Sequence, residues 1–495
     1  MQRRRFLSIT GLAAMSASHS GLGPLWASSF SASSGVQRPA QPDPRFDAIS
    51  DLIEAKMAEY RITGVAFGLS KSGVSERRGF GLTNIDNPQP VTPDTVFPIA
   101  SISKTVVGTA LMRLHDQGRI DVEAPVRDYL PDFQVADAAA TRELRIWHLM
   151  THTPGWEGQL GTPDRGSATL ASFTEGLTDL PQLARPGEVW SYNNAGWGVA
   201  GRLLEVVTDS TIGEALRDLV FEPLGLDRAF SRTGEAMSYR FAAPHREQGG
   251  RTVVSHAFQL PANVAAGGCA ISLENMIRYL EFHLGGGTTL DGTRLLSRAS
   301  LEAMRTSRIQ KNSSTDEMGL GWHLRTLDGV LTAQHGGTLG GHCLHAQLVP
   351  ERNLCFSILT NHRGGWRLNE DVATVILDSY EGLSLALGQR TGGNRGGNER
   401  MSLHAGPLVK QPPLGEYVGL YRRPPVGEVS VTEQAGRLVV GSGNRSYGLV
   451  FWGPDVTYST GSGAFTGMAV EFIRDETGAV TWVRVNGRIA RKEGL

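Results

Sequence analysis

A serine and a lysine stand at the start of a predicted helix, in the order Ser101-Ile102-Ser103-Lys104. Residues three apart on a helix share a face, so the Ser101 hydroxyl and the Lys104 amine can meet. A serine hydroxyl needs a nearby base before it attacks a carbonyl carbon, and a buried lysine can serve because burial lowers its pKa. Of the six lysines, only Lys104 follows a serine by three positions. Taken alone, the pattern also fits a capping serine followed by a solvated lysine.

Tyr192 and Asn194 form a second candidate pair, in a predicted loop just before a predicted helix over 197–207. A tyrosine beside a lysine ammonium has a lowered pKa and can act as a general base. Asn194 can donate to a substrate carbonyl or hold Lys104. Tyr192 is the only one of the ten tyrosines with asparagine two positions later. The alternative is a loop tyrosine that packs its ring and exposes its hydroxyl.

The third pattern is His335-Gly336-Gly337-Thr338, after a predicted strand over 330–334. Glycines at a strand edge let a substrate backbone approach closely. The backbone N–H of Thr338 can then complete an oxyanion hole with that of Ser101. His-x-Gly is weak by itself because it also occurs at other histidines, namely His19, His283, His362 and His404. Only His335 lies between two strand-like segments and precedes consecutive glycines.

Residues 45–385 carry the elements that must position these side chains. Hydrophobic periodicity predicts helices over 45–60, 101–115, 197–207, 273–284 and 370–380. Alternation predicts strands over 64–69, 79–82, 319–324, 330–334, 343–349 and 354–360. Strands from both ends of the segment enclose a mainly helical middle. We therefore expect an α+β domain, with an antiparallel sheet flanked by helices and an inserted helical region.

The remaining segments indicate export and a second domain. Residues 1–27 carry a twin-arginine pattern (Arg3-Arg4-Arg5-Phe6-Leu7), a short apolar run and small residues at a cleavage site. Residues 28–44 and 386–413 are predicted linkers, and 414–495 a small β-barrel-like all-β domain. We expect a periplasmic or secreted protein. No later apolar run approaches the roughly 20 residues of a spanning helix, so no stable membrane insertion is expected after signal removal.

Composition and cysteine content narrow the expected partners. The formal net charge of −1 gives no indication of binding to nucleic acid or an anionic membrane. The three cysteines, Cys269, Cys343 and Cys355, are predicted to be small core residues rather than a disulfide framework. The histidines lack metal-ligand spacing, so neither a metal nor a cofactor is expected. The expected partner is a small-molecule or peptide substrate, and the oligomeric state is left open.

The order Ser-x-x-Lys, Tyr-x-Asn, His-x-Gly resembles the serine β-lactamase-like family. That family includes class C β-lactamases, D-Ala-D-Ala carboxypeptidases, D-aminopeptidases and related esterases. The resemblance covers about residues 45–385 and includes four supporting stretches: Phe97-Pro98-Ile99-Ala100, Leu149-Met150-Thr151-His152-Thr153-Pro154-Gly155, Phe221-Glu222-Pro223-Leu224-Gly225-Leu226 and Gly319-Leu320-Gly321-Trp322. The C-terminal domain is more weakly similar to the small barrel-like domains appended to D-aminopeptidases.

The resemblance implies that Ser101 is acylated and that Lys104 and Tyr192 share proton transfer. It assigns substrate binding to Asn194, His335, Gly337 and Thr338. His335 stands where many relatives have lysine, and a mostly neutral histidine offers no fixed charge to a substrate carboxylate.

We therefore expect a serine hydrolase acting through an acyl-enzyme on an amide or ester, of the peptidase, amidase or esterase type. One alternative is an acyltransferase that uses the same acyl-enzyme. A β-lactamase or penicillin-binding protein is another. A non-catalytic penicillin-sensing module is a third, although the presence of Lys104 and Tyr192 disfavours it.

Overall fold

A computed structural model describes seven segments of the chain: residues 43–159, 169–255, 258–289, 291–311, 316–384, 413–460 and 467–494. The predicted signal peptide (1–27) lies outside these residues, as does nearly all of the predicted linkers 28–44 and 386–413. Within the described residues, no helix is long and apolar enough to cross a lipid bilayer.

Most helices of the described chain lie between the second strand and the last strand of the first domain. In chain order the helices are α1 Pro44–Tyr60, α2 Ser103–Asp116, α3 Ala138–Glu143, α4 Ile146–Met150, α5 Leu170–Glu175, α6 Asn194–Thr208, α7 Ile212–Leu216, α8 Thr233–Ala236, α9 Val264–Gly267, α10 Leu273–Leu284, α11 Arg298–Met304 and α12 Gly365–Glu381. The helix predicted over 273–284 is confirmed with the same bounds.

The strands of this domain come from both ends of its sequence. In chain order they are β1 Gly64–Lys71, β2 Val74–Gly81, β3 Val96–Pro98, β4 Ala229–Phe230, β5 His245–Gln248, β6 Arg251–Val254, β7 Ala270–Ser272, β8 Ile309–Gln310, β9 Asp316–Met318, β10 His323–Leu327, β11 Val330–Leu339, β12 His342–Val349 and β13 Leu354–Thr360. Eight of them form one sheet in the order β2-β1-β13-β12-β11-β10-β9-β8, with antiparallel pairing throughout. The predicted α+β fold is confirmed.

Alternation along β1 divides the core between the two faces of the sheet. Phe67 belongs to the apolar cluster under α1 and α12, whereas its neighbour Ala66 belongs to the larger cluster under α2 and α10. Gly68 lets α10 lie close to β1, because a Cβ there would stand 2.9 Å from Ile277. The sheet is therefore covered by helices on both faces, and β11 runs past the N-terminal end of α2.

Three predicted strands differ from the observed ones by more than two residues, and glycine geometry explains one of them. The strand predicted over 79–82 begins at Val74. No strand covers all of 319–324, because the chain turns between β9 and β10. A Cβ on Gly319 would lie 2.3 Å from the Met304 carbonyl oxygen, and Gly321 has a φ of +87°. In contrast, β11 does not end at Gln334 but continues to Leu339. His335, Gly337 and Thr338 thus lie within a strand and not after one.

The C-terminal segment forms a closed antiparallel barrel of eight strands. These are β14 Gly419–Arg423, β15 Gly427–Gln434, β16 Arg437–Ser442, β17 Arg445–Gly453, β18 Val456–Thr460, β19 Ala469–Arg474, β20 Val480–Val485 and β21 Arg488–Lys492. Pairing of Tyr421 with Lys492 closes the barrel. The predicted all-β domain is confirmed, but the sequence pattern does not predict β17, β18 or β21.

All three cysteines are buried and free. On the paired strands β12 and β13, Cys343 stands opposite Thr360 and Cys355 opposite Leu348. The prediction that they do not pair is confirmed.

Candidate active site

Ser101 lies in a 3₁₀ turn, Ala100–Ile102, that leads directly into α2. Ala100 has a φ of +46°, a left-handed conformation that a non-glycine residue adopts at an energetic cost. Gly337 on β11 packs against this turn. A Cβ on Gly337 would lie 2.5 Å from the Ile99 carbonyl oxygen, so a glycine is required for the strand to approach. The sequence pattern assigned these glycines to the approach of a substrate backbone, whereas Gly337 allows the nucleophile turn itself to contact β11.

Lys104 is fully buried, and its Nζ lies 3.1 Å from Ser101 Oγ. The carbonyl oxygen of Ala266 accepts a second hydrogen bond from Nζ at 2.5 Å. Burial holds the pKa of Lys104 well below its usual value, and the positive charge of Arg488 lowers it further. A neutral amine has a lone pair, so Lys104 can take the proton of Ser101.

Tyr192 contacts the same oxygen, since its hydroxyl donates to Ser101 Oγ at 2.8 Å. Burial raises the pKa of Tyr192 to about 12, although the hydrogen bond with Ser101 and the charge of Arg488 oppose this shift. The expectation of a lowered tyrosine pKa is therefore wrong, because desolvation of the phenol outweighs these two opposing effects. These pKa shifts suit Lys104 to accept a proton and Tyr192 to donate one.

A stacked histidine holds the ring of Tyr192 from one side. The ring centroid of His152 lies 4.3 Å from that of Tyr192, with 29° between the planes. Asn193, the residue after the tyrosine, donates its backbone N–H to His152 Nδ1 at 2.8 Å and caps α6 by accepting from the Gly196 N–H. The start of α6 and the aromatic stack thus fix the loop that presents the tyrosine hydroxyl to Ser101.

The predicted substrate-binding residues border the same open space. A cavity of about 520 Å³ is lined by residues that include Ser101, Tyr192, Asn194, His335, Gly337 and Thr338. A neighbouring cavity of about 190 Å³ shares three of them, Ser101, Asn194 and Thr338.

Asn194 Oδ1 is buried and has no hydrogen-bond partner among the described residues. The hydrogen bonds of Lys104 in that part of the chain go to Ser101 and Ala266 and not to Asn194. The position of Asn194 therefore favours contact with a substrate over orientation of Lys104.

His335 is neutral, as the sequence predicts. Burial lowers its pKa to about 3, and a positive charge on Lys104, present only when that amine is protonated, adds to this shift. His335 Nδ1 lies 2.7 Å from the Gly336 carbonyl oxygen, which can only accept, so the imidazole proton resides on Nδ1. His335 Nε2 is buried without a partner in the described chain and presents a lone pair. The residue therefore offers an acceptor and no positive charge.

The structure adds Lys311 and His323 to the cavity lining, residues that sequence reasoning did not single out. Burial lowers the pKa of Lys311, whose Nζ lies 3.9 Å from Asp316, a residue also paired with Arg325. The His323 ring lies 4.8 Å from that of His335. The rarity of lysine could have drawn attention to Lys311. His152 lies within, and His323 directly after, a stretch that resembles the family, but nothing in those stretches assigned either histidine to the site.

Among the residues that the structure describes, no group of three or more His, Cys, Asp and Glu side chains could hold a metal ion.

The pKa shifts predict the pH dependence of kcat/KM for an uncharged ester. Lys104 works unprotonated, so the rate rises as pH increases through its lowered pKa, well below 10.5. The rate falls again near pH 12, where Tyr192 loses its proton. His335 adds no inflection between pH 5 and 8, because its pKa is about 3. A rising limb centred at 10.5 would contradict this assignment of the base.

Comparison with known proteins identifies the family of the chain. The family model described as Beta-lactamase matches residues 49–381. Penicillin-binding protein 4 of Amycolatopsis lactamdurans is 32% identical over 325 residues, covering 64% of this chain and 84% of that protein. Esterase EstB of Burkholderia gladioli is 29% identical over 355 residues, covering 64% of this chain and 88% of the esterase.

Solved structures share the fold. A class C β-lactamase from Rhodobacter sphaeroides superposes with a TM-score of 0.58 at 22% identity, covering 67% of this chain and 99% of that structure. A crystal structure of SurE superposes with a TM-score of 0.76 at 23% identity, covering 91% of this chain and 99% of that structure. The chain therefore belongs to the β-lactamase family and is a serine hydrolase that acts through an acyl-enzyme on amide or ester substrates.

Proposed function

We propose that Ser101 attacks the carbonyl carbon of a small-molecule or peptide ester or amide, with Lys104 as base and Tyr192 as acid. The convergence of two groups on one oxygen carries this proposal: Lys104 Nζ lies 3.1 Å and the Tyr192 hydroxyl 2.8 Å from Ser101 Oγ. Groups within this range are in reach for proton transfer.

In acylation, the bond between Ser101 Oγ and the carbonyl carbon forms as the bond to the leaving group breaks. The serine proton goes to the Lys104 lone pair, and the Tyr192 hydroxyl supplies a proton to the departing nitrogen or oxygen. Acylation therefore leaves an ammonium group at Lys104 and a phenolate at Tyr192. Water attacks the acyl-enzyme in the second half-reaction, with the proton transfers reversed.

The developing oxyanion needs donors that are fixed before the reaction begins. The backbone N–H groups of Ser101 and Thr338 fit this role, because both residues line both cavities next to the nucleophile. Gly337 supports the arrangement by allowing β11 to contact the Ala100 turn.

His335 favours substrates that place a hydrogen-bond donor, rather than a carboxylate, against its imidazole ring. Its Nε2 presents a lone pair, and its pKa of about 3 leaves it uncharged at neutral pH. The nearby charge of Lys311 faces Asp316 at 3.9 Å. A neutral ester or amide therefore suits the site better than the anionic β-lactams, and the esterase relative is the better guide to substrate class.

A fluorophosphonate probe tests the nucleophile. We expect labelling of the wild-type protein and loss of labelling in Ser101→Ala. Ser103→Ala is the matched control and should retain it, because the Ser103 hydroxyl accepts from the Cys269 N–H instead. Equal labelling of wild type and Ser101→Ala would refute the assignment.

A substrate panel then ranks D- and L-amino acid amides, short-chain esters and nitrocefin by kcat/KM. The proposal requires kcat/KM for an ester or amide to exceed kcat/KM for nitrocefin. The reverse order would overturn the preference assigned to His335.

We also propose that the protein is exported, on the strength of the twin-arginine pattern and apolar run in residues 1–27. Fractionation of a bacterial host with a twin-arginine pathway should place the protein outside the cytoplasm. Replacing Arg3 and Arg4 by lysine should retain it inside. Unchanged export of this variant would contradict the proposed route.

A further inference from the structure

The barrel supplies the hydrogen-bond partners of the backbone of Tyr192. The turn of its β20–β21 hairpin places the carbonyl oxygen of Gly487 2.8 Å from the Tyr192 N–H. Arg488, the first residue of β21, donates from Nη1 to the Tyr192 carbonyl oxygen at 2.8 Å. The next residue, Ile489, donates its N–H to the Ser191 hydroxyl at 3.2 Å. Both polar backbone groups of the catalytic tyrosine are therefore bonded to the second domain.

The same hairpin binds the rest of the loop that precedes the tyrosine. Trp482 Nε1 donates to the Leu183 carbonyl oxygen at 2.8 Å, and Arg484 donates to that of Trp190 at 3.0 Å. An apolar cluster spans the contact and consists of Leu183, Ala184, Val189, Trp482 and Ile489. The two domains thus form one packed unit across this loop, within the compact unit Pro42–Leu495.

A buried carboxylate fixes the direction of Arg488. The side chain of Glu157 is 1% exposed and lies 3.5 Å from Arg488 Nη1 and 3.1 Å from Arg423 Nε. Both arginines belong to the barrel, whereas Glu157 belongs to the first domain. A buried charge needs partners, so Glu157 holds these arginines at the interface. The guanidinium of Arg488 also lies 5.5 Å from the centroid of the Tyr192 ring.

The barrel does not act as a wall of the described cavity beside Ser101. The lining residues of the 520 Å³ cavity all precede Ser384 in the sequence. The barrel therefore influences the reaction through the loop before Tyr192 and not through contact with the substrate.

We infer that Arg488 is a positioning residue for the acyl-transfer step, which makes the barrel part of the catalytic unit. This inference rests on the proposed roles of Ser101, Lys104 and Tyr192. Three contacts together hold the tyrosine hydroxyl 2.8 Å from Ser101 Oγ. They are made by the guanidinium of Arg488, the carbonyl of Gly487 and the stacked ring of His152. A misplacement of about 1 Å in such a group can lower a rate by about 100-fold.

Arg488→Ala tests the inference, with the rate of fluorophosphonate labelling and ester kcat and KM as readouts. We expect labelling and kcat to fall by about 100-fold with a smaller change in KM, because the tyrosine acts on the reacting atoms. Arg488→Lys should recover part of the loss. Arg491→Ala is the matched control, since Arg491 lies on the same strand, is exposed and should label at the wild-type rate.

A second pair of variants distinguishes two possible roles of Arg488: positioning Tyr192, or only neutralising the charge of Glu157. Glu157→Gln removes the charge but keeps a side-chain oxygen that can accept from Arg488. Arg488 should therefore stay bonded to the Tyr192 carbonyl, and the variant should keep most of the wild-type rate. Glu157→Gln combined with Arg488→Met removes the unpaired buried charge but also that bond, so it should remain slow. Recovery of the wild-type rate in the double variant would overturn the inference, as would rates within about threefold of wild type in Arg488→Ala.

The pH profile gives a readout that a purely structural role would not move. The positive charge of Arg488 lowers the pKa of Lys104, so Arg488→Ala should shift the rising limb to higher pH while Arg488→Lys should not. An unshifted limb in Arg488→Ala would count against the inference. Failure of the proposed function is distinct, because the wild-type protein itself would then show no labelling at Ser101.

Discussion

The burial of one amine sets the chemistry of the whole site. Lys104 is 0% exposed, and the cost of desolvating an ammonium group keeps its pKa well below 10.5. The unfolded chain binds this proton up to about pH 10.5, whereas the folded chain releases it at a lower pH. The lowered pKa therefore reduces the free energy of unfolding below that pH, by about 1.4 kcal/mol for each unit by which the pKa is lowered. The same burial provides a neutral base within reach of Ser101.

The other site residues follow from that constraint. With Lys104 neutral, Tyr192 lacks a cationic neighbour strong enough to ionise it, and burial keeps it protonated. The same apolar surroundings leave His335 neutral, with its free nitrogen as an acceptor. The site therefore combines a base, an acid and an uncharged acceptor around one hydroxyl. The charge of Arg488 reaches it from the barrel, 296 positions away from Tyr192 in the sequence.

The sequence predicts the parts of the molecule that depend on local spacing. The three-residue separation of Ser101 and Lys104 implies a shared face. Periodicity predicts α10, and β13 has the predicted bounds Leu354–Thr360. The order of three short patterns also indicates the family.

Long-range packing decides the rest. The pKa of Tyr192 depends on burial, which spacing does not reveal, so its predicted direction is wrong. The strand predicted across Gly319 and Gly321 fails because the chain turns tightly against Met304. No sequence pattern joins Glu157 to Arg488 or His152 to Tyr192. The first contact joins the two domains, and the second joins two separate segments of the first domain.

The protonation state of Lys104 is the central claim, and ¹⁵N NMR of the lysine side chains measures it directly. Six lysines give few signals, and Lys104→Met identifies the one that belongs to Lys104. The account predicts a neutral-amine chemical shift for Lys104 Nζ at pH values well below 10.5, while exposed lysines remain ammonium groups. An ammonium shift for Lys104 that persists up to about pH 10 would contradict it.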